Sequence, residues 1–91
     1  MKKRIHLFYS GDVQGVGFRF TAVRAANLIG VGGWVKNLRD GRVEVLVEGE
    51  EDKINKFLED IKTSPLKYYI RNIDYKWEEH KDEFQEFNIK F

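Results

Sequence analysis

Apolar residues repeat along the chain with two different spacings, and the shorter spacing predicts the β-strands. Several segments have the period of two that is typical of a β-strand. These segments are residues 4–10, 34–38, 42–48, 69–77 and 87–91. Asp40 and Gly41 separate the second segment from the third, and this dipeptide predicts a hairpin. Five aromatic residues at strand spacing are predicted to belong to the core, namely Trp34, Tyr75, Trp77, Phe87 and Phe91.

Two segments between the strands have helical spacing instead. The first runs over residues 18–29 and is followed by glycines that predict its end. Its apolar face consists of Phe18, Ala22, Ala25, Ala26 and Ile29. The second begins at the acidic residues 50–52, which suit a helix N-terminus, and ends before Pro65. Its apolar stripe consists of Ile54, Phe57, Leu58 and Ile61.

The order of these elements predicts the fold class. We interpret it as β-α-β-β-α-β, for which two helices on one face of an antiparallel sheet is the natural packing. The prediction is therefore an α+β protein with a ferredoxin-like sandwich, in which residues 1–91 form a single domain. Because this fold carries many unrelated activities, it does not decide the function.

Composition narrows the function by exclusion. Lys and Arg number 16 against 15 Asp and Glu, and this balance argues against a strongly basic nucleic-acid-binding module. The absence of cysteine excludes disulfides and thiolate chemistry, and it favours a cytoplasmic protein over a small secreted one. No apolar run is long enough for a membrane helix. His6 and His80, the only histidines, lack a matching carboxylate pattern, so no metal site is expected.

The most informative segment lies between the first predicted strand and the first predicted helix. Residues 11–19 contain three glycines, which allow successive backbone N–H groups to turn toward one point. Arg19 falls in the first turn of the helix, where the N–H groups also lack helical partners. This arrangement can hold a phosphate. Taken alone, however, the residues favour a purely structural turn, since glycine turns before helices are common.

Two sequence patterns favour the phosphate site over the structural turn, because together they resemble those of the acylphosphatase family. Residues 11–19 fit G-x-V-Q-G-V-x-[FY]-R at every fixed position. Residues 33–49 fit G-[FYW]-[AVC]-[KR]-N-x-x-x-G-x-V-x-x-x-x-x-G. The resemblance extends over the whole chain, in length and in the order of elements.

The resemblance implies hydrolysis of an acyl phosphate to a carboxylate and inorganic phosphate, with no metal or organic cofactor. It implies that Arg19 binds the phosphate together with the loop amides, and that Asn37 holds the attacking water. The implied phosphate-binding residues are Gln14, Gly15, Val16, Gly17, Phe18 and Arg19. The expected partners are a small-molecule acyl phosphate and the phosphate product, without nucleic acid or membrane, and the chain is expected to be a monomer.

Two positions depart from the usual pattern of the family. Asp12 stands where a basic or neutral residue is more usual, and Arg39 stands where many relatives have proline. An inward carboxylate would repel the substrate, although an outward Asp12 is the expected arrangement. Asp12 therefore keeps open an alternative, a phosphate- or acyl-phosphate-binding module with weak turnover. A nucleic-acid or protein adaptor is disfavoured by the neutral charge and by the lack of an aromatic RNA-binding motif.

Overall fold

A five-stranded sheet and two α-helices make up the computed structural model, which describes residues 1–91. The elements, in chain order, are β1 (Lys2–Gly11), α1 (Phe18–Ile29), β2 (Gly32–Asn37), β3 (Val43–Glu50), α2 (Glu51–Thr63), β4 (Ile70–Glu78) and β5 (Phe87–Lys90). A short 3-10 helix, Pro65–Tyr68, joins α2 to β4. None of the helices is both long and apolar enough to cross a membrane.

The strand order confirms the ferredoxin-like prediction, but the sheet has five strands where the predicted order β-α-β-β-α-β has four. The order is β4-β1-β3-β2-β5, and the first four strands pair antiparallel. β5 pairs parallel to β2, so the sheet is mixed rather than wholly antiparallel. The reason is that residues 79–86 carry the chain from one edge of the sheet to the other, and β5 then runs in the direction of β2.

The core lies between the sheet and the two helices. From the sheet it receives alternating residues of β1 and β3, which are Ile5, Leu7, Tyr9, Val43, Val45 and Val47. From the helices it receives the predicted apolar faces, with Phe18, Ala22, Ala25, Ala26, Ile54, Phe57 and Ile61 buried. Each large aliphatic side chain buried in this way contributes about 1.5–3 kcal/mol. This layer fixes the start of α1, and hence Arg19, relative to the sheet.

The prediction of a core position is wrong for most of the aromatic residues. Phe87 is buried, but Trp34 is half-buried, and Tyr75 and Phe91 are 63% and 92% exposed. Tyr75 and Trp77, which is 36% exposed, lie on the edge strand β4, and Phe91 follows β5. α1 packs on β2 and β5 and α2 packs on β3, which leaves β4 with little cover. Strand alternation therefore gave the core-side face for Tyr75, Trp77 and Phe87 but not how far the helices cover that face. For Trp34 the predicted face is itself wrong, because Trp34 pairs with Leu46 and lies beside His6 on the face opposite to the core.

A buried ion cluster on the opposite face anchors the segment that leads to β5. The guanidinium of Arg4 pairs with the carboxylates of Glu48, Glu78 and Glu83. Glu48 is only 3% exposed, and its carboxylate accepts the backbone N–H groups of Lys81 (2.8 Å) and Glu83 (3.0 Å). Burial of Glu48 disfavours its charged form, but these N–H groups and Arg4 outweigh burial and lower the pKa of Glu48.

Candidate active site

The loop between β1 and α1 takes its shape from two glycines. Gly15 has φ +79° and Gly17 has φ +82°, in the left-handed region that L-residues with a side chain rarely adopt. A Cβ at either position would meet no atom within 4 Å. The requirement for glycine is therefore set by the backbone turn and not by crowding, and the open space in front of the turn remains available to a ligand.

The turn leaves a run of backbone donors without partners in the protein. None of the N–H groups of residues 13–17 donates a hydrogen bond to another protein group. The first bond of the helix runs from Thr21 N–H to Gly17 O (3.0 Å), so the N–H groups of residues 18–20 have no helical acceptor either. Such a run at a helix N-terminus carries partial positive charge and can bind an anion.

The Gln14 side chain holds this loop against the hairpin between β2 and β3. Its Nε2 donates to Leu38 O at 2.7 Å and to Arg42 O at 3.0 Å. Leu38 N–H also donates to Arg42 O (2.8 Å), so the loop is attached where the hairpin closes. The sequence patterns indicate Gln14 only as one of the loop amides and do not indicate this side-chain role. The available signal was a long amide side chain in an otherwise glycine-rich and apolar turn.

Asn37 ends β2 immediately before that hairpin. Its Oδ1 is buried and accepts no hydrogen bond from the protein, and its side chain makes no other hydrogen bond in the structure. A buried acceptor without a donor costs about 1–3 kcal/mol unless water or a ligand satisfies it. Oδ1 therefore offers an acceptor for an O–H group that enters the site.

One cavity of about 210 Å³ brings the two signature segments together. It is lined by Val13, Gly15, Gly17, Phe18, Arg19, Phe20, Asn37 and Ile89. Of the residues predicted for the site, Gln14 and Val16 do not line the cavity. Gln14 is bonded to the hairpin, and Val16 packs against the hydrophobic core. Phe20 and Ile89 are cavity residues that the sequence patterns did not indicate.

The charges around the cavity favour an anion. Arg19 is half-buried and forms no ion pair, and its guanidinium carbon lies 5.5 Å from the centroid of the Phe91 ring. Asp12 does not line the cavity; its exposed carboxylate pairs with Arg71 at 3.3 Å. The expected outward orientation of Asp12 is confirmed. Arg39 is exposed in the turn of the hairpin and also lies outside the cavity.

Fold and site together define a small α+β protein with a glycine-rich loop of unpartnered N–H groups at a helix N-terminus. The sequence model of the acylphosphatase family matches residues 5–89, and the chain belongs to that family. The chain is 39% identical over 89 residues to an acylphosphatase of Caldanaerobacter subterraneus, covering 98% of this chain and 99% of the relative. An acylphosphatase of Pyrobaculum calidifontis is 45% identical, covering 94% and 79%.

The fold agrees with that assignment. The crystal structure of acylphosphatase from Bacillus subtilis superposes with a TM-score of 0.88 at 34% identity, covering 100% of both chains. The protein is thus an enzyme that hydrolyses the carboxyl–phosphate bond of small acyl phosphates.

Proposed function

We propose that the two sides of the cavity divide the hydrolysis between them. The N–H groups of the loop and the Arg19 guanidinium bind the phosphoryl oxygens, and Asn37 Oδ1 accepts a hydrogen bond from the attacking water. One observation carries this division: the cavity is lined by the unpaired cation Arg19, by glycines of the loop with unpartnered N–H groups, and by Asn37, whose buried Oδ1 has no donor in the protein. Each kind of group matches one reactant, since phosphoryl oxygens only accept and water can donate.

The reaction needs positioning and charge stabilisation rather than a covalent intermediate. The water oxygen forms a bond to phosphorus while the bond from phosphorus to the acyl oxygen breaks, and the carboxylate leaves with the electron pair. A proton of the water passes to a phosphoryl oxygen, so the products are a carboxylate and inorganic phosphate. Loop N–H groups without partners in the protein stabilise the equatorial oxygens as negative charge shifts during transfer.

Replacing Asn37 tests the division directly. Because the Asn37 side chain makes no hydrogen bond in the protein, we expect Asn37→Ala to leave the melting temperature almost unchanged. We expect kcat to fall by roughly 10²-fold or more, as for loss of one positioned polar group in the transition state, with little change in inhibition by phosphate. Steady-state kinetics and thermal melting on one preparation provide both values.

Asn27→Ala is the matched control, because Asn27 is exposed on α1 and does not line the cavity. It should leave kcat unchanged. If Asn37→Ala kept near-normal kcat, or lost stability and activity together, Asn37 would have a structural role at the hairpin and not a role in positioning water.

We propose that residues 1–91 act as a single domain and as a monomer in the cytoplasm, without nucleic acid, metal or organic cofactor. The near-neutral charge argues against binding to nucleic acid. The alternative of a binding module with weak turnover depended on an inward Asp12, and that carboxylate is paired outside the cavity.

A further inference from the structure

Two partly exposed apolar side chains line the cavity beside Arg19 and Asn37. Phe20 follows Arg19 in the first turn of α1 and lines the cavity, although its side chain is 69% exposed. Ile89 of β5 lines the same cavity and is 37% exposed. These two residues come from different elements, so their position beside one opening follows from the fold and not from their separation in sequence.

Phe91 continues this apolar surface. In the parallel pairing of β5 with β2, Ile89 lies beside Val35 and Lys90 beside Lys36. Extending that register by one residue places Phe91 beside Asn37. Its ring also lies 5.5 Å from the guanidinium carbon of Arg19. Phe91 does not itself line the cavity, but its largely exposed ring lies against Arg19, one of the two groups to which we assign the chemistry.

We call Phe20, Ile89 and Phe91 the apolar rim, and we propose that it is the subsite for the acyl part of the substrate. This proposal rests on the proposed function. In an acyl phosphate, a single oxygen joins the acyl carbon to phosphorus. If the loop and Arg19 hold the phosphoryl group inside the cavity, the acyl carbon must therefore lie at the cavity mouth. Binding sites commonly combine a few polar groups with an apolar lining. The rim therefore favours acyl phosphates whose acyl group carries an apolar part, an aromatic ring above all.

The test compares benzoyl phosphate with acetyl phosphate in the wild type and in Phe20→Ser. Losing contact between the substrate ring and Phe20 removes roughly 50 Å² of apolar burial, so the ratio of kcat/KM for benzoyl over acetyl phosphate should fall about 5- to 10-fold. Because the same ratio is measured in both proteins, the different reactivities of the two leaving groups cancel. Phe20→Leu should recover a large part of the preference.

Leu28→Ser is the matched control, since Leu28 is exposed on α1 and does not line the cavity. Its ratio should equal that of the wild type. Phe91→Ser should lower the ratio in the same direction as Phe20→Ser. If both variants lost activity equally on the two substrates, or kept the wild-type ratio, the rim would not be an acyl subsite.

This failure is distinguishable from a failure of the proposed function. In the first case, wild-type hydrolysis of acetyl phosphate and its dependence on Arg19 and Asn37 would persist while the ratio stayed constant. In the second case, Arg19→Ala and Asn37→Ala would retain hydrolysis of acetyl phosphate.

Discussion

Arg4 and Arg19 occupy two regions of the molecule with opposite electrostatic arrangements. Arg4 is 8% exposed and lies among three carboxylates, those of Glu48, Glu78 and Glu83. Arg19 is half-buried, forms no ion pair and stands next to a run of backbone N–H groups that also lack partners. In the first region the cation is paired with carboxylates of the protein, and in the second the positive charge is left for a ligand.

The difference shows why residue type alone does not identify a functional arginine. A buried charge that lacks a partner is expensive, so the compensated region serves the fold. An uncompensated cation that keeps contact with solvent costs less, and it can be retained for binding. The comparison predicts that removing Arg4 affects stability and that removing Arg19 affects catalysis.

The largest expected effect is on catalysis in Arg19→Ala. Loss of a charge-stabilising donor should lower kcat/KM for acetyl phosphate by roughly 10²–10³-fold, while the melting temperature changes little. Arg24→Ala is the control, because Arg24 is exposed on the same helix and lies outside the cavity. Activity close to wild type in a folded Arg19→Ala protein would remove the functional half of the comparison.

A smaller effect, on stability, is expected for Arg4→Ala. Glu48 would stay buried with its two N–H donors but without its cation, so the free energy of unfolding should fall by about 2 kcal/mol. Activity per folded molecule should persist. Lys56→Ala removes an exposed ion pair with Asp60 and should change stability by less than about 0.5 kcal/mol. Equal losses in the two variants, measured by urea unfolding, would mean that burial of the Arg4 cluster adds nothing.

The smallest effect concerns acid stability. The pKa of Glu48 is lowered in the folded protein, so its ionised form contributes stability above the unfolded pKa, and this contribution is lost as pH falls through the folded pKa. Glu48→Gln should therefore lose less stability than the wild type when urea unfolding is compared at pH 7 and at pH values below about 4. Identical pH dependence in the two proteins would show that Glu48 does not supply this acid sensitivity.

Local patterns were sufficient for most of the fold. The spacing of apolar residues predicted α1 over residues 18–29, as observed, and Asp40 and Gly41 lie in the turn between β2 and β3 as expected. The exposure of Tyr75 could not be predicted, because alternation identifies the face of a strand but not the reach of the helices above it. The parallel pairing of β5 also depends on which edge of the sheet the chain reaches, and no local pattern specifies that edge.

The candidate site was predictable in its parts but not in its arrangement. The two sequence patterns indicated Arg19 and Asn37, and both line one cavity. The side-chain bonds of Gln14 to the hairpin could not be read from the sequence, since they join residues 24 and 28 positions apart. The place of Ile89 at the cavity likewise depends on how β5 pairs with β2.

The most direct test of the central claim is the affinity for inorganic phosphate, measured by calorimetric titration of the wild type, Arg19→Ala and Asn37→Ala. If Arg19 holds the phosphoryl group and Asn37 orients only water, Arg19→Ala should bind phosphate at least about tenfold more weakly, as for loss of a charged hydrogen-bonding partner, and Asn37→Ala should bind it as the wild type does. Wild-type affinity in Arg19→Ala, or an equal loss in both variants, would contradict the division of roles.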